Sequence, residues 1–292
     1  KWAYKLKGVA DGQAEIIVCA NNFHGRSTTI VGFSSEVQYR DGFGPFAPGF
    51  CSIPYGDAAA LEAAITPNTA AFLFEPIQGE GGIVIPPAGW LARCAEICRQ
   101  HNVLLIADEV QTGLGRTGRL LACEHEGVRP DGVILGKALG GGLLPVSAFL
   151  ANDALMQVFR PGDHGSTFGG NPLAAAVADE ALRLLADERL AERAARLGEA
   201  FLARLQAIES PLIREVRGRG LLIGMELDTR RVNARTAAEW LLARGLMTKD
   251  THDSVLRFAP PLIVGEPELE WAAEVIEDAL ADLATRFPGT QA

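Results

Sequence analysis

No uninterrupted apolar run in this chain approaches the ~20 residues that a membrane-spanning helix needs. Cysteine is sparse. The five present are odd in number and scattered over 292 residues, which argues against a disulfide framework. Cys94 and Cys98 fall one helical turn apart on the apolar side of an expected helix. Core packing in a reducing, cytoplasmic compartment is the expectation for them. The five histidines include no pair at metal-ligand spacing, so no metal site is expected. Positive charge is in deficit: 27 Lys and Arg against 36 Asp and Glu leave a formal net charge of −9. That balance disfavours nucleic acid or an anionic membrane surface as a partner. Internal repeats and low-complexity tracts are also lacking. The opening Lys1-Trp2-Ala3-Tyr4 has none of the character of a secretory signal and reads as the tail of a helix.

What is present is an ordinary globular composition, 48% hydrophobic and 22% charged, long enough for a large core and two domains. Apolar runs at 15–20, 70–75, 103–108, 132–136 and 146–150 read as strands. Segments at 58–65 and 87–101 have helical spacing, and 41–50, rich in Gly, Pro and Phe, reads as a loop. Strands alternating with helices imply a mostly parallel sheet with helices on both faces. A long helical stretch at 172–208 is followed by short strands at 221–227 and 256–258 and a helix from Pro267. The expected division is a large α/β domain over 1–186 and a smaller α+β domain over 187–292.

Two strand ends carry the chemistry. The run 104–108 ends on Asp108, and 133–135 is followed by Gly136, Lys137 and then the glycines 140–142. Ligands of a parallel sheet bind at the carboxyl ends of its strands, so both side chains should face one cleft. Either residue alone is compatible with a helix cap or a solvated loop. Together they meet the needs of a pyridoxal phosphate enzyme: an amine for a Schiff base and an acid that keeps the pyridine nitrogen protonated. Glu75 also ends a strand, with Glu80 on the glycine-rich loop after it. Arg26 follows Asn22-Phe23-His24-Gly25, and Arg257 lies in the apolar run 256–261. Arginine's planar fork suits a carboxylate, although a structural salt bridge would look the same. The hydroxyls and amides of 164–172, ahead of the long helix, suit a phosphate, and a capping loop suits that sequence equally. Gly113-Leu114-Gly115-Arg116-Thr117-Gly118 fits the dinucleotide fingerprint in letters only, because Glu109 to Thr112 separate it from its strand.

Taken in order, 22–26, 75–82, 107–118, 136–142, 164–172 and 256–261 resemble the class III, fold type I aminotransferases over essentially the whole chain. Within these, 41–50 and 136–148 resemble the ornithine δ-aminotransferase branch. The resemblance implies pyridoxal 5'-phosphate as cofactor and a seven-stranded type of sheet, incomplete here. Lys137 would carry the cofactor and shuttle the proton, and Asp108 would pair with the pyridine nitrogen. Phe23 would stack on the ring with Val110 beside it, and Gln111 would bond the ring hydroxyl. Ser166 and Thr167 would reach the phosphate of a neighbouring subunit's cofactor, implying a homodimer. Arg26, Glu75, Glu80 and Arg257 would bind substrate, with Arg26 on the α-carboxylate of ornithine and Glu80 and Arg257 acting together at the other end. The implied reaction moves the δ-amino group of L-ornithine to 2-oxoglutarate. An N-terminal stretch of the family, including a strand and a phosphate loop, is expected to be missing, with weak cofactor binding as the consequence. The rival readings are an acetylornithine, 4-aminobutyrate or other ω-amino acid transaminase, an inactive fragment acting as a binding module, and a dinucleotide-dependent oxidoreductase.

Overall fold

Short apolar runs build a first sheet from six strands. The computed structural model describes residues 1–287. After a helical turn at Ala3–Lys7 come β1 (Glu15–Cys19), α1 (Thr28–Val31), α2 (Val37–Arg40), β2 (Phe50–Ile53), α3 (Ala58–Ala64) and β3 (Thr69–Phe74). Then follow α4 (Trp90–Gln100), β4 (Leu104–Asp108), β5 (Gly132–Leu135), β6 (Ala148–Ala151), α5 (Asp153–Met156) and α6 (Pro172–Asp187). The sheet order is β2-β1-β3-β4-β5-β6, parallel throughout except for the antiparallel β5–β6 pair at one edge. Near-continuous apolar strands such as Thr69–Phe74 belong in a covered parallel sheet. Ile17, Phe72, Phe74, Leu105 and Ala107 form one core with Trp90, Leu91, Cys94, Ile97 and Cys98 of α4. The helix begins where its apolar stripe does. Burial pushes the Cys94 and Cys98 thiols up to about 12, as expected of packing residues. Asp57 starts α3 by accepting the Ala60 N–H at 2.9 Å.

The second half of the chain adds α7 (Leu190–Gln206), β7 (Ile213–Arg219), β8 (Leu222–Leu227), α8 (Ala234–Leu242), β9 (Lys249–Thr251), β10 (Val255–Phe258) and α9 (Glu266–Arg286). Its antiparallel sheet runs β7-β8-β10-β9. Leu197, Phe201 and Leu205 of α7 share a core with Ile223, Met225, Leu256 and the α9 residues Ile276 and Leu280. Pro267 sits in the first turn of α9, where its missing N–H costs no helical bond.

Two local readings change. The loop expected over 41–50 gives way at Phe50 to β2, an edge strand of only four residues whose Cys51 and Ser52 are exposed. The single helical stretch at 172–208 is two helices, broken at Arg189, which adopts φ +50°. Contacts group Lys1–Ile77, Pro86–Gly113 and Leu121–Arg183 into one unit. Gln78–Ile85 and Leu114–Leu120 group with the described chain from Leu184 in the other. Among the described residues, no helix is long and apolar enough to cross a membrane.

Candidate active site

The carboxyl ends of β1, β3, β4 and β5 lie side by side in the first unit. Asp108, the last residue of β4, is in register with Ile134 of β5, and Lys137 follows three residues on. Glu75 comes directly after β3, and Phe23 and His24 follow the turn after β1. These ends surround a cavity of about 210 Å³ lined by Phe23, His24, Gly25, Glu75, Ile77, Asp108, Val110, Gln111, Thr112 and Lys137. The sheet thus brings together six of the expected residues: Phe23, Glu75, Asp108, Val110, Gln111 and Lys137.

Each acid is fixed by neighbours. Asp108 Oδ1 accepts the Val110 N–H at 3.0 Å, and Oδ2 lies 2.7 Å from His24 Nδ1. A carboxylate only accepts, so Nδ1 carries the proton of that bond. The His24 side chain is 2% exposed, and its Nε2 is buried with no hydrogen-bond partner among the described residues. Glu75 Oε2 accepts the Phe23 N–H at 3.0 Å, which ties the β1 loop to the end of β3. Lys137 is exposed and takes φ +42°. Holding a non-glycine residue there costs about 1 kcal/mol, a strain common at functional positions.

Behind the cavity wall, Glu109 is 1% exposed and accepts the Thr112 hydroxyl and, at 2.9 Å, the Cys123 N–H. Burial pushes its carboxyl up, against the pull of these hydrogen bonds. The folded state therefore holds this proton more tightly than the unfolded chain. Its contribution to stability falls as pH rises from about 4.3 through the raised value and is flat above. In Glu109→Gln, the amide oxygen can accept from Cys123 and the NH2 can donate to Thr112. Thermal unfolding should show wild type losing ground to this variant as pH rises from about 4. A gap independent of pH would refute this.

Other expected residues stand outside the cavity lining. Arg26 is exposed, with its guanidinium 3.5 Å from the Tyr39 ring centroid and 5.5 Å from that of Phe23. Ser166 and Thr167 lie on an exposed loop, where Ser166 Oγ accepts the Gly169 N–H at 3.1 Å. Asn171 then caps α6 by accepting the Ala174 N–H at 2.8 Å. In the second unit, Arg257 Nη1 is 2.6 Å from Glu80 Oε1, and both side chains are largely covered. The fingerprint-like glycines have a packing role. No helix opens on them, and a Cβ on Gly118 would sit 2.9 Å from Ala195 Cα of α7. Arg116, between them, donates to Leu221 O at 3.0 Å and Pro260 O at 2.6 Å. The dinucleotide reading has no structural support.

Sequence reasoning missed His24 as a partner of Asp108, and missed Glu109 altogether. A histidine two residues before an arginine carries no local signal for a contact 84 positions away. The lining fits a pyridoxal cofactor: a buried carboxylate at Asp108, an aromatic ring at Phe23, an amide at Gln111 and an exposed lysine at Lys137. Among the described residues, no group of three or more His, Cys, Asp or Glu is placed to hold a metal ion.

The pattern of the aminotransferase class III family matches residues 1–280, and the chain belongs to that family. It is 59% identical over 280 residues to the ornithine aminotransferase of Bacillus subtilis (strain 168), covering 96% of this chain and 69% of that protein. A Toxoplasma gondii ornithine aminotransferase, crystallised with oxidised glutathione and described as having partial occupancy of PLP at its active site, superposes with a TM-score of 0.95 at 46% identity. That match covers 98% of this chain and 69% of the other. An acetylornithine aminotransferase from Elizabethkingia anophelis gives a TM-score of 0.85 at 50% identity, over 96% of this chain and 70% of its own.

Proposed function

We propose that this chain transfers the δ-amino group of L-ornithine to 2-oxoglutarate, giving glutamate 5-semialdehyde and glutamate. The observation that carries the reading is the meeting of Lys137 and Asp108 in one cavity at adjoining strand ends, in a chain whose relatives are ornithine aminotransferases. When bound, pyridoxal 5'-phosphate supplies an aldehyde that takes up the amino group and a ring that accepts electrons. Lys137 Nζ would hold the cofactor's aldehyde carbon and would carry the proton at the substrate carbon. The Asp108 carboxylate would hold the proton on the ring nitrogen, and His24 Nδ1, 2.7 Å from Oδ2, fixes its second oxygen. Phe23 would stack on the ring, Val110 would flank it, and Gln111 would bond the ring hydroxyl. Ser166 and Thr167 would reach a phosphate held by a second subunit, which would make the working unit a homodimer. The cysteines, none of them disulfide-bonded, are consistent with a cytoplasmic location.

Substrate contacts fall to Arg26, Glu75, Glu80 and Arg257. Arg26, already braced on Tyr39, takes the α-carboxylate of ornithine through its fork. Glu80 keeps Arg257 occupied while ornithine reacts and releases it to the dicarboxylate 2-oxoglutarate. A free Arg257 would draw the ornithine carboxylate into the wrong orientation. Glu80→Ala is therefore expected to move the ornithine reaction toward its α-amine while the 2-oxoglutarate half-reaction stays competent. Single-turnover kinetics with product identification checks this, and equal impairment of both halves with unchanged regiochemistry leaves only a permanent salt bridge.

The Elizabethkingia likeness makes N-acetylornithine the competing donor. Comparing kcat/KM for ornithine, N-acetylornithine and 4-aminobutyrate decides between them. A higher value for either of the latter two would displace ornithine as the donor.

A further inference from the structure

A row of three residues crosses the antiparallel sheet of the second unit. Arg217 of β7 lies opposite Gly224 of β8, and Gly224 lies opposite Arg257 of β10. Residues directly opposed across antiparallel strands present their side chains on one face. Two arginines thus flank a glycine over two strand spacings, about 10 Å. The turn bearing Glu80 rests on this row. Backbone bonds between Gln78 and Val84, at 3.1 and 3.0 Å, close the turn, and it passes through φ +107° at Gly82 and +53° at Ile83. Gly224 is its floor: a Cβ there would stand 3.0 Å from Ile83 Cβ.

Arg217 grips the turn from one side. Its Nε donates to Ile83 O at 3.1 Å and its Nη2 to Gly82 O at 2.8 Å. Its Nη1 is 2.6 Å from both Glu215 and Glu226 carboxylates, which orient the fork. On the other side, Arg257 holds the Glu80 carboxylate at 2.6 Å.

We propose that Arg217 is a positioning residue for substrate choice, holding the Gln78–Val84 turn in the register at which Glu80 meets Arg257. The inference rests on the Glu80–Arg257 reading above. Only a planar fork reaches two successive carbonyls while a third nitrogen keeps its counter-ions. A lysine offers one point charge and loses that geometry. Arg217 thereby sets how firmly Arg257 is masked from a substrate carboxylate.

The test compares Arg217→Lys, Arg217→Gln and Glu80→Ala in the full chain. Hydrogen exchange of the 79–84 amides is read without cofactor, and the split of ornithine between its two amines is read with it. Both Arg217 variants should exchange the turn amides about tenfold faster, the factor one lost hydrogen bond allows, with β8 and β10 unchanged. Both should shift regiochemistry in the direction of Glu80→Ala, and adding Arg217→Gln to Glu80→Ala should shift it no further. Gly224→Ala, which lifts the turn without touching a charge, should give the same shift and keeps the test open if Arg217→Gln fails to fold. Unchanged regiochemistry in the Arg217 and Gly224 variants, beside a shifted Glu80→Ala, overturns the positioning role and leaves a purely structural tie. Unshifted regiochemistry in Glu80→Ala itself is a different pattern, which overturns the Glu80–Arg257 reading and this proposal with it.

Discussion

Lys137→Ala is expected to abolish the visible absorbance of the cofactor-loaded protein and lower turnover by several orders of magnitude. The lysine sits three residues past Ile134, which is in register with Asp108, so its amine and that acid serve one cavity from adjoining strands. Covalent catalysis by an amine has no substitute in a methyl group. The fold should survive. Lys137 is exposed, so truncating it opens no core cavity, and alanine bears the same φ of +42° as any other L-residue. Substitutions of this kind usually change stability by no more than about 0.5 kcal/mol. Circular dichroism and the melting temperature should match wild type while turnover collapses. Borohydride reduction of the wild-type holoenzyme followed by peptide mapping should place the pyridoxyl label on Lys137. A label on Lys249, or on no lysine, would remove the assignment.

Asp108→Asn is expected to slow the chemical step about a hundredfold or more, which corresponds to about 2.7 kcal/mol of barrier. The carboxylate acts on a proton whose retention matters most as negative charge develops in the transition state. An amide is neutral and loses that field. It nevertheless fits the position. Its oxygen can accept the Val110 N–H that Oδ1 accepts now, and its NH2 can donate to His24 Nδ1 in the other tautomer. The loss should therefore fall on kcat with little change in substrate binding. Stopped-flow measurement of the first half-reaction separates the two, and an unchanged rate would exclude the role. His24→Ala, which leaves the charge but frees its second oxygen, should cost less than Asp108→Asn.

The site was legible where chemistry coincides with a strand end. Asp108 and Lys137 each close an apolar run, and parallel pairing carries such ends to one edge of the sheet. Glu75 was visible for the same reason. Residues whose role depends on contacts remote in sequence left no local trace. His24 meets Asp108 across 84 positions, and Arg217 meets Gly82 across 135. β7 escaped notice because Ile213–Arg219 carries three arginines and a glutamate, the composition of a solvated segment, although Arg214, Glu215 and Arg217 are engaged in ion pairs and, for Arg217, backbone carbonyls. The glycines at 113, 115 and 118 gave a misleading motif, since close packing selects the same residue as phosphate binding does. One cut near 186 also has no means of showing that Gln78–Ile85 and Leu114–Leu120 pack with the later part of the chain. Their partners lie far off in sequence, Ala195 for Gly118 and Arg217 for Gly82.

The central claim is δ-amino transfer, and isotope tracing tests it most directly. The holoenzyme is incubated with ornithine carrying ¹⁵N only at the δ position and unlabelled 2-oxoglutarate, and the glutamate formed is analysed by mass spectrometry. The account predicts glutamate enriched in ¹⁵N together with an α-amino semialdehyde that cyclises to a pyrroline. Unlabelled glutamate, with ¹⁵N retained in the ornithine-derived product, would contradict it.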